Sequence, residues 1–395
     1  MNFSHQLLSW YQKNKRDLPW RRSSDPYLVW LSEVILQQTR IDQGLPYYEK
    51  FVAAYPTIQH LAGAGEQEIL KLWQGLGYYS RARNMHEASR MIVRDFDGKF
   101  PATYEGIRSL KGVGDYTAAA IASIVFDLPY PVVDGNVIRF FSRYFGITGS
   151  AALSATKKQI LEIATEKIDH RHPGDFNQAV MEFGATFCVP ANPSCATCIF
   201  RSSCFALKQG MVAELPARSL KAAIRNRYLH YLVITCTIGG EDFIGLNKRT
   251  GNDIWKNLFD FPQIEFAKGR GQHNPQFELH AGNRQHNPQV ELHAGNRQHY
   301  PQVEHPEGIK QDHPLNAREL GILLGDNHPG LAIEQFLGVS PKYNHLLTHQ
   351  RLHAWFYRFH SETKAEWPSL LVAMNKLNEY PVPRMIEKYI HDQVI

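Results

Sequence analysis

Near the middle of the chain two glycines stand one residue apart, in the stretch Leu110-Lys111-Gly112-Val113-Gly114-Asp115-Tyr116-Thr117-Ala118. Glycines at this spacing allow a tight turn with exposed backbone N–H groups, and an apolar helical pattern begins at Asp115. Turn amides beside a helix N-terminus form a site for an anion such as phosphate. On this pattern alone, an ordinary corner between two helices with glycine as a cap is the simpler interpretation.

Four of the five cysteines lie in one short window with the spacing C-x6-C-x2-C-x5-C, at Cys188, Cys195, Cys198 and Cys204. Thiolates this close in sequence can hold a metal ion or an iron–sulfur cluster. A zinc ion is the competing interpretation, but zinc sites usually have paired C-x2-C knuckles, which this irregular spacing lacks. The spacing therefore favours a cluster.

Length and composition predict a soluble protein of two domains. A chain of 395 residues is long for one ordinary domain, and 43% of it is apolar. No apolar run approaches a membrane span, the N-terminus lacks a secretory signal pattern, and the cysteines do not form a disulfide framework. These features predict a reducing, cytoplasmic location without a membrane partner.

Positive charge is concentrated in the first part of the chain. Residues 1–230 contain 27 Lys and Arg against 20 Asp and Glu, whereas the rest contains 16 against 18. This distribution is expected of a surface that faces phosphates, although many proteins are mildly basic.

The first 210 residues show helical periodicity. Asp25-Pro26 is a helix start, and the helix is predicted to continue to Leu36. Further helices are predicted near residues 45–55, 66–74, 80–95, 103–110, 115–127, 134–146, 155–168 and 175–187. We therefore predict a helical domain over residues 1–210.

The periodicity changes in the second half. Residues 211–228 are basic and polar and indicate a linker, after which the segments 228–236 and 242–246 are predicted to form a β-hairpin. We predict an α+β domain over residues 229–365 and a helical tail over 366–395.

A tandem repeat of 13 residues interrupts the second domain. The segment 272–283 recurs at 285–296 and begins again at 298. The unit is polar, so we predict a solvated insertion over about residues 268–310 rather than a core element or a histidine metal site.

The glycine stretch, the cysteine spacing and Val132-Val133-Asp134-Gly135-Asn136-Val137 together resemble the helix-hairpin-helix DNA glycosylase superfamily that includes endonuclease III. Four motifs resemble one branch of it, the adenine DNA glycosylase (MutY) family. These are Leu18-Pro19-Trp20-Arg21, the stretch from Trp30 to Thr39, the stretch from Gly75 to Asn84, and Phe176-Asn177-Gln178-Ala179. The resemblance covers nearly all of residues 10–205. It implies an all-α glycosylase fold, one 4Fe–4S cluster on the four cysteines, and DNA binding by Gly112, Val113 and Gly114.

The resemblance implies removal of adenine mispaired with 8-oxoguanine or guanine. Adenine leaves poorly as an anion, so a protonated carboxylic acid is needed, and Glu33 on an apolar helix face is the candidate. By periodicity alone, Glu33 would be an exposed helix residue. An ionised carboxylate would stabilise the oxocarbenium-like sugar, and the resemblance assigns this role to Asp134. Asp134 is also a candidate helix N-cap, and both roles are compatible.

The resemblance assigns Tyr116 and Asn136 to ordering the site around the sugar and its water. In bifunctional members of the superfamily a lysine at the position of Tyr116 forms a Schiff base. Tyrosine here implies base removal without strand cleavage.

Further assignments concern the flipped adenine and the duplex. Trp20, Arg21 and Gln178 match the adenine pocket, and Gln38 and Tyr78 match residues that wedge into the duplex.

The second domain resembles the Nudix-like domain of the same family in Trp255-Lys256-Asn257-Leu258-Phe259-Asp260-Phe261-Pro262. It lacks an acidic Nudix box, so pyrophosphate hydrolysis is not expected. Leu347-Thr348-His349 stands where the family has Phe-Ser-His, which reads 8-oxoguanine. Thr348 and His349 are therefore implied in lesion recognition, with leucine replacing the aromatic residue.

Two alternatives compete with a monofunctional adenine glycosylase. An endonuclease III-like enzyme with lyase activity is disfavoured by Tyr116 and by the second domain. A non-catalytic iron–sulfur protein that binds DNA is disfavoured by the presence of both Glu33 and Asp134. The expected partner is double-stranded DNA that contains the mispair, bound by a monomer.

Overall fold

The computed structural model describes residues 2–217, 223–266, 277–279, 302–303, 313–316, 320, 335–361 and 370–393. The chain forms two compact units. Unit 1 consists of Met1–Glu66 and Ser80–Lys221, and unit 2 consists of Gln67–Tyr79 and Ala222–Ile395. The assignment of Gln67–Tyr79 to unit 2 differs from the single helical domain predicted over residues 1–210.

Helices dominate the first 210 residues, as predicted. They are α1 (Phe3–Asn14), α2 (Pro26–Leu36), α3 (Ile41–Ala54), α4 (Ile58–Gly63), α5 (Glu66–Leu72), α6 (Ser80–Asp95), α7 (Tyr104–Ser109), α8 (Asp115–Phe126), α9 (Gly135–Phe145), α10 (Ser154–Lys167), α11 (Pro173–Thr186) and α12 (Phe205–Lys208). Two short 3-10 turns lie at Pro19–Arg21 and Cys195–Thr197.

The start of α2 follows from its sequence. The Asp25 carboxylate accepts a hydrogen bond of 2.8 Å from the Tyr27 amide, and Pro26 occupies the first helical position. Helix α1 was not predicted, although Phe3, Leu7 and Tyr11 recur at helical spacing and are buried. Its signal was therefore present in the sequence.

Helix α11 lies at the centre of unit 1, where it packs against α1, α8 and α9. The core of unit 1 contains many aromatic side chains. The rings of Phe140 and Phe183 pack at a tilt with their centroids 4.6 Å apart, and Phe3 and Phe200 stack at 5.0 Å. Burial of these large rings provides much of the hydrophobic stabilisation of the unit.

Unit 2 contains a mixed sheet. Its strands are β1 (Arg225–Ile238), β2 (Glu241–Lys248), β3 (Phe259–Asp260), β4 (Gln263–Phe266), β5 (Phe277–Leu279), β6 (Gln302–Val303), β7 (Gln335–Val339), β8 (Tyr343–Leu346), β9 (Gln350–Ser361) and β10 (Leu370–Ala373). Strand β1 pairs in parallel with β9 and antiparallel with β2 and β4. The hairpin predicted at 228–246 is confirmed, with Thr235 opposite Ile244.

One face of this sheet is covered by α13 (Arg384–Asp392). Tyr389 stacks on Phe356 with a centroid distance of 3.8 Å, and Ile386 is fully buried. The segment Gln67–Tyr79 adds polar contacts within the unit. Lys71 Nζ donates to the Tyr380 carbonyl at 3.2 Å, and Gln74 Nε2 donates to Glu387 at 2.9 Å.

Two predicted boundaries are wrong. The predicted helical tail includes strand β10, which pairs with β2 and therefore belongs to the sheet. Leu371-Val372-Ala373 favours a strand because it is apolar and contains a β-branched residue. The predicted linker extends too far, because β1 already begins at Arg225.

Most of the tandem repeat lies outside the described residues. Within it, Phe277–Leu279 and Gln302–Val303 pair as β5 and β6 and extend the sheet beyond β4. No helix in the described part of the chain combines the length and apolar character needed to cross a bilayer.

Candidate active site

Glu33 lies on the third turn of α2, in the segment Trp30–Leu36, where Ser32 is the one other polar residue. The residue retains some solvent exposure, but the protein around its carboxyl group removes much of the water that would stabilise a charge. This burial raises the pKa of Glu33 from 4.5 to about 7, with Asp134 adding to the shift and Tyr116 and Arg21 opposing it. Glu33 is therefore able to carry a proton near neutral pH.

Tyr116 follows the glycine turn on the first turn of α8. Its hydroxyl hydrogen-bonds to Glu33 and lies 3.2 Å from Met181 Sδ on α11. Burial and the two neighbouring carboxylates raise the pKa of Tyr116 well above its usual value, so the hydroxyl remains a proton donor. The structure thus brings Glu33, Tyr116 and Asp134 together.

Asp134 is the N-cap of α9, as the sequence indicated. Its Oδ1 accepts from the amides of Asn136 at 2.9 Å and Val137 at 2.7 Å. Burial raises the pKa of Asp134, while these hydrogen bonds and Arg139 oppose the shift. The cap fixes the carboxylate at the helix N-terminus, where the helix dipole favours its ionised form.

A hydrogen-bonded chain connects Asp134 with the cysteine segment. Asn136 Nδ2 donates to Asp134 Oδ2 at 2.8 Å, and Arg139 Nη2 donates to Asn136 Oδ1 at 2.8 Å. Arg139 Nε in turn donates to the carbonyl of Cys188 at 2.8 Å. No local pattern points to Arg139, because its partners depend on how α9 and the end of α11 pack.

Arg21 belongs to an ion-pair network centred on the buried Glu182. Glu182 on α11 is 1% exposed at its side chain and binds Arg16 and Arg21, each at 2.7 Å. Burial opposes its ionisation, but hydrogen bonds from the two arginines outweigh burial and lower the pKa of Glu182 to about 2. This carboxylate was not predicted, since its arginine partners lie far from it in sequence.

The predicted adenine-pocket residues have different environments. Gln178 is partly exposed on α11, and its Oε1 accepts a hydrogen bond of 3.1 Å from the Tyr11 hydroxyl. Trp20 is 7% exposed and packs edge to face on Tyr48 at 5.1 Å. Arg21 lies within electrostatic range of Glu33. Their contact with a base stays a prediction.

The glycine stretch forms a turn between α7 and α8. Gly112 has φ +78°, and a Cβ there would lie 2.6 Å from Asn84 Cβ. Val113 is buried, whereas Gly112 and Gly114 are exposed. Arg108 supports the turn by donating to the Val113 carbonyl at 2.9 Å. The turn therefore exposes backbone on both sides of a buried anchor, as an anion site requires.

Gln38 lies in the exposed turn after α2 and has a left-handed φ of 55°. Arg81 supports this turn through Nη1, which donates to the carbonyls of Ile35 at 2.9 Å and Gln37 at 2.6 Å. These bonds satisfy carbonyls at the C-terminus of α2 and fix the path of the chain toward Gln38.

Tyr78, Thr348 and His349 all belong to unit 2. Thr348 and His349 are exposed in the turn between β8 and β9, and Tyr78 is 47% exposed with φ 48°. The Tyr78 hydroxyl and Thr348 Oγ1 form a hydrogen bond. A residue predicted to wedge into the duplex is thus in contact with one implied in lesion recognition.

All four predicted cysteine ligands line one pocket beside Phe140, Phe183 and Phe200. Each is a free cysteine of intermediate exposure. Among the described residues, no group of three or more His, Cys, Asp or Glu side chains is arranged to hold a single metal ion. Four cysteine thiols around one pocket are the donor set that a 4Fe–4S cluster takes.

Arg143 stands over this pocket. Its Nη1 lies 3.5 Å from Cys188 Sγ, and its guanidinium also donates to the carbonyls of Val189 at 2.7 Å and Pro190 at 2.9 Å. A buried cation beside the sulfurs suits a group that carries thiolate charge.

Residues 31–169 match the HhH-GPD superfamily of base excision DNA repair proteins. This superfamily is the class that the helical fold, the glycine turn and the carboxyl pair define. Adenine DNA glycosylase of Buchnera aphidicola subsp. Acyrthosiphon pisum is 35% identical over 264 residues, which span 67% of this chain and 74% of that protein. The chain belongs to the adenine DNA glycosylase family, so the resemblance drawn from its motifs is confirmed.

Adenine DNA glycosylase of Rattus norvegicus is 44% identical over 226 residues, which span 54% of this chain and 44% of that protein. Among solved structures, a thermostable thymine-DNA glycosylase is 30% identical, with a TM-score of 0.49 over 52% of this chain and 95% of that chain.

Proposed function

We propose that the protein removes adenine mispaired with 8-oxoguanine or guanine, by hydrolysis of the N-glycosidic bond without strand cleavage. The observation that carries this proposal is the position and pKa of Glu33. Its carboxyl group lies near Tyr116 and the capped Asp134, and its pKa is raised to about 7. Two carboxyl groups with different environments suit an acid and an electrostatic stabiliser in one reaction.

Glu33 acts first, as the general acid. Protonation of the adenine ring converts a poor anionic leaving group into a neutral one. The carboxyl must be protonated in the complex, and desolvation by the bound base would favour that form further.

Asp134 acts on the sugar. Departure of the base leaves positive charge at the anomeric carbon, and an ionised carboxylate nearby lowers the energy of that state. Two backbone amides and the Asn136 side chain hold Asp134 in place, so little reorganisation is needed during reaction. Tyr116 has no amine for a Schiff base, which supports hydrolysis by water as the outcome.

Cys188, Cys195, Cys198 and Cys204 are the proposed ligands of one 4Fe–4S cluster. The cluster would serve as a structural cross-link between the end of α11 and the segment that leads to α12. Arg143 and Arg139 would connect its ligand segment with α9.

The sheet of unit 2 is proposed to be a Nudix-like domain that reads the opposite base. Thr348 can offer a hydroxyl to a guanine edge, and 8-oxoguanine differs from guanine by an N7 donor and an added oxygen. The exposed position of Thr348 and His349 in the β8–β9 turn supports this role.

Single-turnover excision on duplexes with adenine opposite 8-oxoguanine, guanine and thymine tests the proposal. The expected order of rates is 8-oxoguanine first, then guanine, with negligible reaction opposite thymine. Glu33→Gln should bind the mispaired duplex and lose excision by about a hundredfold or more. Equal rates in the variant and the wild type would refute the assignment of Glu33, and release of a base other than adenine would refute the proposed substrate.

A further inference from the structure

One face of α11 is directed at the candidate site. Gln178, Met181 and Glu182 stand at positions i, i+3 and i+4, so they lie on the same side of the helix. Met181 contacts the Tyr116 hydroxyl, and Glu182 binds Arg21. Gln178 is therefore one helical turn from Met181, which contacts Tyr116, the hydrogen-bond partner of Glu33.

Tyr11 approaches this face from α1. It is 1% exposed, and its hydroxyl donates to Gln178 Oε1 at 3.1 Å. Arg21 and Lys15 lie over its ring, 5.6 Å and 5.4 Å from the centroid. Burial raises the pKa of Tyr11 to about 12, so the hydroxyl keeps its proton throughout the neutral range. Packing and the two cations over the ring thus hold Tyr11 in place, and its hydroxyl proton is directed to Gln178.

This hydrogen bond favours one of the two orientations of the Gln178 amide. A carboxamide has one acceptor oxygen and one donor nitrogen, and it can rotate between two orientations. In the structure the Tyr11 hydroxyl donates to Oε1, and this bond stabilises the orientation with Oε1 toward Tyr11. Oε1 retains a second lone pair, and Nε2 retains its two N–H donors.

An amide with a fixed orientation distinguishes adenine from guanine. Adenine presents an N6 donor beside the N7 acceptor, which matches the oxygen and nitrogen of a glutamine side chain. Guanine presents two acceptors on the same edge, O6 and N7, which a freely rotating amide could satisfy with its nitrogen. Holding the oxygen in place removes this option.

We infer that Tyr11 is a positioning residue that fixes the orientation of the Gln178 amide and thereby makes the pocket selective for adenine. This inference rests on the proposed function, because it requires Gln178 to face the flipped base. Tyr11 itself is not expected to touch DNA.

Tyr11→Phe tests the inference because it retains the ring and removes the hydroxyl. Single-turnover excision of adenine and of unsubstituted purine, each opposite 8-oxoguanine, should be measured in both proteins. Purine lacks the N6 amino group, so only adenine benefits from a fixed Oε1. The adenine rate should fall about fivefold, in line with one hydrogen bond, while the purine rate changes less than about twofold. A purely structural role would lower both rates together.

Gln178→Leu provides the second variant and keeps the inference testable even if Tyr11→Phe fails to fold. It should abolish the preference for adenine over purine, and adding Tyr11→Phe to it should have no further effect on that preference. Unchanged preference in either single variant would overturn the inference. Failure of the wild-type protein to release adenine would instead refute the proposed function, so the two failures are distinguishable.

Discussion

At the scale of the residue, the proposed chemistry depends on one carboxyl group. Glu33 belongs to an apolar helix face, and the consequence is a pKa near 7 rather than near its usual 4.5. A carboxyl group with its usual pKa would be almost fully ionised at neutral pH and could not protonate a base efficiently. In the proposed reaction, the apolar neighbours on α2 would therefore contribute directly to reactivity.

The rate of excision should depend on pH through Glu33. It should be nearly constant below about pH 7 and fall about tenfold per pH unit above it, because only the protonated acid reacts. Single-turnover rates measured between about pH 5.5 and 9 would show this decline. A wild-type profile that stays flat over the whole range would contradict the role of Glu33.

The same shift predicts an effect on stability. The native state holds the Glu33 proton more tightly than the unfolded state, so its contribution to stability declines as pH rises from 4.5 to about 7. Glu33→Gln should therefore lose less stability than the wild type over that window. Urea unfolding at the two ends of the window would measure the difference.

Glu182 shows the opposite linkage. Its pKa is lowered to about 2, so its ion pairs stabilise the fold above pH 4.5 and this contribution declines as the pH falls toward 2. Glu182→Gln leaves Arg16 and Arg21 without their carboxylate and should cost about 3 kcal/mol of unfolding free energy at neutral pH. Urea denaturation would measure it, and Asp175→Asn on the same helix provides a more exposed control. Equal losses in the two variants would contradict a special role for Glu182.

Motifs located part of this site from sequence. Glu33, Asp134 and Tyr116 lie in local patterns whose chemistry can be argued from neighbouring residues, and the structure brings the three together. Tyr11 and Glu182 could not be found in this way. Their partners are more than 160 residues away in sequence, and their geometry depends on how α1 and α11 pack.

At the scale of the element, the turn between α7 and α8 depends on one glycine more than on the other. Gly112 has φ +78° and no space for a Cβ beside Asn84, so Gly112→Ala should cost about 1–2 kcal/mol from the backbone alone. The strained turn should also bind duplex DNA less tightly. Urea unfolding and a duplex titration at fixed salt would measure both effects.

Gly114→Ala is the matched control for this change. Gly114 has φ −94°, and nothing lies within 4 Å of its missing Cβ. This substitution should leave unfolding free energy nearly unchanged. If the two variants behaved alike, the turn would not be the rigid element that the structure describes.

Local start signals explain why most helices could be predicted. The Asp25-Pro26 start of α2 and the Asp134 cap of α9 both form the expected hydrogen bonds. Strand β10 has a local strand signal of only four residues, and its pairing with β2, more than a hundred residues earlier in the chain, is not visible in the local sequence. Pairing partners of this kind are not encoded in a local pattern.

At the scale of the whole molecule, the division into units differs from a division by position in the chain. Gln67–Tyr79 belongs to unit 2 and is held there by Lys71 and Gln74. A truncation near residue 225 would therefore remove the partners of a segment in the N-terminal half. Point substitutions are the cleaner way to test the second unit.

Thr348→Ala should weaken the preference for 8-oxoguanine over guanine by about fivefold, the effect of one lost hydrogen bond. Single-turnover rates opposite the two bases would give this ratio. Thr348→Ser retains the hydroxyl and should keep the preference. Tyr78→Phe should be compared as well, because the Tyr78 hydroxyl is bonded to Thr348. A preserved ratio in Thr348→Ala would contradict lesion reading by this turn.

The cap at Asp134 also bears on how such an enzyme persists in evolution. Loss of an N-cap carboxylate costs about 1 kcal/mol, enough to lower the amount of folded protein in a cell. A descendant that kept a role requiring the fold but not the reaction would still be under selection for an oxygen acceptor at this position, since it caps α9. Asparagine would satisfy folding without catalysis. An inactive descendant of this chain is therefore expected to carry asparagine rather than alanine at residue 134, whereas the proposed reaction requires aspartate.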